Sequence, residues 1–160
     1  MIDEQGYRLN VGIIVVNKEN KLLWAQRCSN VDAWQFPQGG IKRNESPKQA
    51  MYRELHEELG LVEQDVAVLQ ESSQWYSYDL PKKFQRPHQV PLCIGQKQRW
   101  FLLRLLGEDK RVKLNVMSSP EFIRWKWVDY WLPVESVVDF KRDVYMNVLS
   151  EFDGFLNKRG

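Results

Sequence analysis

The sequence predicts a mixed α/β domain in which helices cover a β-sheet. Two observations carry that expectation. Apolar, β-branched runs with strand character recur along the chain, and two segments with helical spacing are set among them. The chain has 160 residues, a length that fits one domain, and residues 1–160 are expected to form it.

Val11 to Val16 reads as a buried strand, because β-branched side chains suit a pleated surface packed on both faces. Asn17-Lys18-Glu19-Asn20 is turn-like, and Lys21 to Gln26 reads as the returning strand of a hairpin. Trp34-Gln35-Phe36 alternates, and Pro37 ends it; Gln38-Gly39-Gly40 reads as a flexible loop. A helix should open at Ser46. Ser46 suits the N-cap, Pro47 the first helical position, and Gln49 completes a capping box. The helix should run to about Leu59, with Gly60 as its stop.

Val66 to Leu69 and Gln74 to Tyr78 read as short strands. The stretch from Asp79 to Pro91 holds three prolines and several cations and reads as a loop. Arg99 to Leu105 and Phe122 to Val128 read as strands. Pro133 to Val138 reads as a short helix, and Lys141 to Leu156 carries helical spacing at Val144, Tyr145, Val148, Leu149 and Phe152.

Composition excludes several classes. The formal net charge of +2 does not by itself argue for a nucleic-acid partner. Cys28 and Cys93 are too few and too far apart for a disulfide or metal framework, which suggests a reducing compartment. No apolar run approaches the roughly 20 residues that span a bilayer. The opening residues hold no apolar signal segment, so a cytoplasmic, bacterial-type location without membrane attachment is expected. Seven tryptophans serve cores and stacking sites alike.

The chemistry concentrates in Arg53-Glu54-Leu55-His56-Glu57-Glu58-Leu59-Gly60. On a helix Glu54, Glu57 and Glu58 stand at i, i+3 and i+4, so their carboxylates share one face. Like charges so spaced cost about 0.2–0.5 kcal/mol per pair, and Arg53 is the one cation in the turn. A hard divalent cation would offset the repulsion and acidify a bound water. Taken alone, the turn also reads as a solvated acidic face. His56 lies off the carboxylate face and His88 in the proline-containing loop; neither receives a catalytic role.

A wider pattern decides. Gly39, five residues, Glu45, seven residues, Arg53-Glu54-Leu55, one residue, Glu57-Glu58, one residue and Gly60-Leu61 follow in order. Every defined position resembles the Nudix box, here residues 39–61. The resemblance implies the Nudix fold, an α/β/α sandwich around a mixed β-sheet with a loop–helix–loop box. It implies Mg²⁺ as cofactor, with Mn²⁺ or another divalent cation as an alternative, and more than one ion in the active complex. It assigns Glu54, Glu57 and Glu58 to metal, with Glu57 assisting deprotonation of water. Gly39, with Gly40, lets backbone approach the ion. Glu45 and Arg53 brace the loop against the helix, so that Arg53 supports catalysis. Glu121 becomes a fourth acidic ligand or the base that positions water; without the resemblance it reads as an exposed loop carboxylate.

Further segments resemble one branch of the family, the bacterial RNA pyrophosphohydrolases: Gly6 to Gly12, Trp34 to Gly40, Ile94 to Phe101 and Phe140 to Tyr145. The implied activity removes pyrophosphate from 5′-triphosphate RNA with an unpaired 5′ end and so starts mRNA decay. Dinucleoside polyphosphate hydrolases, which cut diadenosine tetraphosphate, are similar and remain the alternative. A silent binding domain would be expected to lack some of the four glutamates. Arg8, Arg27, Arg99 and Lys141 are candidates to grip phosphate. Lys82 and Lys83 could reach the RNA backbone. Val138 and Phe140 are expected to form a cleft for a base, with Tyr78 as another stacking face and Gln96 as a further substrate contact. Core positions for Val138 and Phe140 are the competing reading.

Overall fold

The computed structural model describes residues 1–157. Its strands are β1 (Tyr7–Val16), β2 (Leu22–Arg27), β3 (Trp34–Gln35), β4 (Gln38–Gly40), β5 (Val66–Glu71), β6 (Tyr76–Asp79), β7 (Gly95–Leu105) and β8 (Phe122–Val128). Its α-helices are α1 (Pro47–Leu59), α2 (Leu132–Ser136) and α3 (Arg142–Asn157). One eight-stranded sheet runs β3-β2-β1-β7-β5, with β4 paired to β1, β6 to β7 and β8 to β2. The β1–β7 pair is parallel and the others are antiparallel, so the sheet is mixed.

Side-chain alternation along β1 builds the layers. Val11, Ile13 and Val15 face one way and bury against Ala50, Met51, Leu55 and Leu59 of α1. Ile14 and Val16 face the other way, into a cluster with Val144, Tyr145, Val148, Leu149 and Phe152 of α3. One helix on each face makes an α/β/α sandwich, as expected. On the α3 face a Cβ at Gly12 would overlap the ring of Trp100, its register partner on β7. Only glycine admits that indole, which stacks edge-on with Phe36 and Tyr145.

The sequence placed most elements within a few residues, with three differences. Gln38-Gly39-Gly40 is a strand rather than a loop. It pairs antiparallel with β1, Val11 opposite Gly39 and Gly12 opposite Gln38. Glycine gives no side-chain signal for a strand, so only the tertiary pairing reveals it. β1 and β7 begin four residues earlier than Val11 and Arg99, because polar residues at their starts pair with each other. Lys141 lies in a 3₁₀ turn (Asp139–Lys141) just before α3. Among the described residues no helix is long and apolar enough to cross a membrane.

The start of α1 follows its sequence signals. Ser46 Oγ accepts from the Gln49 N–H at 3.1 Å, and Gln49 Oε1 accepts from the Ser46 N–H at 2.9 Å. Gly60 closes the helix at φ 69°, donating its N–H to the His56 carbonyl at 2.9 Å. Ser46→Ala is expected to lower unfolding free energy by about 1 kcal/mol in urea titrations without changing the slope. An unchanged midpoint would show that the cap contributes nothing.

Candidate active site

The loop Ile41–Ser46 joins β4 to α1, and Asn44 turns it in the left-handed region at φ 68°. This turn sets Glu45 opposite Arg53. All five N–H groups of the Arg53 guanidinium are used. Nε donates to Glu45 Oε2 at 2.8 Å. One terminal nitrogen donates to Glu45 Oε1 at 2.9 Å and to the Gly40 carbonyl at 2.8 Å. The other donates to Glu54 Oε1 at 2.7 Å and Glu57 Oε2 at 3.4 Å. The loop, β4 and two of the acidic side chains are thus tied to one planar group.

The Arg53 guanidinium and the Lys42 N–H hold the Glu45 carboxyl well below its usual range, at about 2. The depressed folded pKa means that this ion pair stabilises the fold fully above the ordinary carboxyl pKa. The contribution fades as pH falls through the folded value.

Glu54 is buried, although it belongs to the acidic face, and burial raises its pKa against the pull of Arg53. Glu58 is raised further, first by burial and then by the neighbouring charge of Glu54; Glu121 and Glu57 add to the effect. Glu58 Oε2 is buried without a hydrogen-bond partner. Gly39 lies against this pair so closely that a Cβ there would overlap the Glu54 carboxylate. Among the described residues no group of three or more His, Cys, Asp or Glu side chains is already arranged to hold a metal ion. The donor set nevertheless fits a hard divalent cation. It offers carboxylate oxygens, one of them orphaned, with mutual repulsion that a cation would relieve.

Glu121 precedes β8 and holds the neighbouring edge. Its carbonyl accepts from the Cys28 N–H at 2.9 Å, and its Oε1 lies 3.4 Å from Arg27 Nε. Arg27 opens onto a cavity of about 530 Å³ on the α3 side of the sheet. Six of the residues expected to contact substrate line it: Arg27, Tyr78, Gln96, Val138, Phe140 and Lys141. Tyr78 and Phe140 set their rings 5.6 Å apart, and Phe84 lies 6.0 Å from Phe140. Val138 is exposed rather than core, and Phe140 is half-buried at the rim of the α3 cluster.

Lys141 is buried, and its Nζ donates to Gln35 Oε1 at 3.2 Å and Gln38 Oε1 at 3.4 Å. Burial lowers its pKa to about 8, the Arg27 charge adds to this, and Glu121 opposes it. The Gln38 oxygen also accepts from buried Gln98 Nε2 at 3.2 Å, and Gln98 bonds Asn10 Oδ1 at 2.9 Å. Sequence alone assigns no role to Gln35, Gln38 or Gln98. Their signal lies in spacing, since Gln38 immediately precedes Gly39.

The remaining candidates lie elsewhere. Arg99 is not at the cavity: it pairs with Glu71 at 2.9 Å and stacks 5.7 Å over Trp75. Odd-numbered positions of β7 face α1, as Phe101 and Leu103 show, and that alternation turns Arg99 away from Gln96. Arg8 lines an adjoining groove. Lys82 and Lys83 form an exposed 3₁₀ turn with Phe84, and Lys83 Nζ sits 5.1 Å over that ring.

The NUDIX domain model matches residues 6–148. The chain belongs to the NUDIX family. It is 55% identical over 157 residues to an RNA pyrophosphohydrolase of Coxiella burnetii, covering 98% of this chain and 69% of that one. It is 55% identical over 158 residues to an RNA pyrophosphohydrolase of Hydrogenovibrio crunogenus, covering 99% and 95%. Among solved structures it is similar in fold to the E. coli dihydroneopterin triphosphate pyrophosphohydrolase. The TM-score is 0.70 at 18% identity, covering 91% of this chain and 98% of that one. The protein is a hydrolase of this family.

Two outcomes follow. The stability difference between wild type and Glu45→Gln should be largest above pH 5 and shrink as pH falls from 4.5 towards 2, read from denaturant midpoints. A difference independent of pH would remove the Glu45–Arg53 pair from the acid response. Gly39→Ala should displace the Glu54 carboxylate by roughly an ångström and cut turnover by about 100-fold with a native-like circular dichroism spectrum. Normal turnover in that variant would show that the close approach is immaterial.

Proposed function

We propose that the protein is an RNA 5′-pyrophosphohydrolase. It converts 5′-triphosphate RNA to 5′-monophosphate RNA with release of pyrophosphate, and in the cell it would start mRNA decay. One observation carries the reading beyond the hydrolase class. The aromatic cavity opens beside the acidic cluster, with Arg27 bridging them at 3.4 Å from Glu121. A base and its polyphosphate can therefore be held at the same time. The relatives that match nearly the whole chain at 55% identity support the RNA substrate.

Glu54, Glu57, Glu58 and Glu121 would hold Mg²⁺, in more than one ion, with Gly39 giving close backbone approach. When bound, Mg²⁺ supplies positive charge against the phosphate oxygens and lowers the pKa of water. Glu57, half-buried with its side chain 31% exposed, stands ready to take the proton from attacking water. The water oxygen forms a bond to phosphorus, a phosphoanhydride P–O bond breaks, and pyrophosphate departs with the bonding pair. Arg27 and Lys141 offset the polyphosphate charge. Tyr78, Phe140 and Val138 receive an unpaired base, which has a π-face for stacking.

The test is an end-group assay on 5′-triphosphorylated RNA, run with and without chelator beside diadenosine tetraphosphate. The expected result is pyrophosphate release from RNA that stops when divalent ions are removed and restarts with Mg²⁺. Hydrolysis of diadenosine tetraphosphate with no action on RNA would replace this reading by the dinucleotide one.

A further inference from the structure

A second groove of about 240 Å³ adjoins the aromatic cavity and shares Leu80, Phe84 and Gln96 with it. Arg8 and Arg86 line it. Arg8 lies on β1 in register with Gln96 on β7, and Arg86 follows the turn that carries Phe84. Among the described residues, neither guanidinium has an ion-pair or side-chain hydrogen-bond partner. The acids nearby in the sheet are engaged elsewhere. Asp79 accepts from Tyr7 Oη at 2.6 Å, and Asp3 faces Lys97 Nζ at 3.5 Å. On the shared wall Gln96 Oε1 is buried with no partner, so the protein's own hydrogen bonds do not complete this surface.

The strand order gives the site a direction. Glu121 and Arg27 stand at the β8–β2 side, and Arg8 and Gln96 stand across β1 and β7. The aromatic cavity lies between, with Tyr78 on β6 as its far wall. A ligand whose reacting phosphates lie at the glutamates and whose base enters the cavity meets the two arginines only if another anion follows the base. A polynucleotide has that anion, its next backbone phosphate. A nucleoside triphosphate does not. A dinucleoside polyphosphate holds all of its phosphates between its two nucleosides and lacks it as well.

We propose that the Arg8–Arg86 groove is a phosphodiester subsite, which takes the backbone phosphate on the 3′ side of the base held at Phe140 and selects a chain over a small nucleotide. This rests on the RNA reading above. Two guanidiniums can grip one phosphate through charge-assisted bonds, and the groove holds them unneutralised for that purpose.

The experiment compares wild type, Arg86→Ala and Arg86→Lys on a 5′-triphosphorylated tetranucleotide and on the matching nucleoside triphosphate, measured as substrate or as competing inhibitor. Anisotropy of a labelled triphosphorylated oligonucleotide is followed over a salt series. Arg86→Ala should lose about tenfold more in kcat/KM on the tetranucleotide than on the nucleoside triphosphate, chiefly through KM. The slope of log binding against log salt should fall by about 0.7, one single-strand phosphate contact. Arg86→Lys should restore part of the loss. Equal losses on both substrates, or an unchanged salt slope, would overturn the subsite while leaving the RNA reading intact. Failure of wild type to release pyrophosphate from the tetranucleotide would instead overturn that reading, and the subsite with it.

Discussion

The site depends on one planar cation. Arg53 spends every N–H on a different demand: both oxygens of Glu45, the Gly40 carbonyl, Glu54 and Glu57. No other side chain could do so, because a lysine has three donors around a point and no fork to match a carboxylate. The arginine lets β4, the connecting loop and the acidic face of α1 approach one another despite the repulsion among the glutamates. Its partners Glu45 and Glu54 are mostly sequestered from solvent, so the pairing escapes the screening that weakens surface ion pairs.

On the opposite face of the sheet, buried amides do comparable positioning. Asn10, Gln98 and Gln38 form a chain that ends at the Lys141 ammonium, with Gln35 beside it. Buried polar groups are costly unless paired, and such a chain tolerates few alternative arrangements. Gln38 is the last link and the residue before Gly39. The cation at the cavity and the backbone beside Glu54 are therefore set by adjacent residues of one short strand.

Electrostatics follow the same axis. Acids gather at the end where a phosphoanhydride would be cut, and free guanidiniums gather beyond the aromatic cavity. Lys141 sits between them with a depressed pKa, because burial and Arg27 disfavour its charge while Glu121 favours it. The gradient suits a ligand that is anionic along its length and aromatic in the middle.

Much of this was legible from residue order alone. The capping box at Ser46, the stop at Gly60, the apolar stripe of α1 and the spacing of its glutamates are local features, governed by interactions within a few residues. They determined the helix, the family and the hydrolase chemistry. Tertiary structure decided what depends on pairing across the sheet. It made Gln38–Gly40 a strand, buried Glu54 while leaving Glu57 and Glu58 half-buried, and joined Arg27 of β2 to Tyr78 of β6 around one cavity. It also turned Arg99 towards Glu71 while leaving Arg8 free, although both were equal candidates as isolated arginines. Register determines which face a side chain reaches, and register is set by partners distant in the chain.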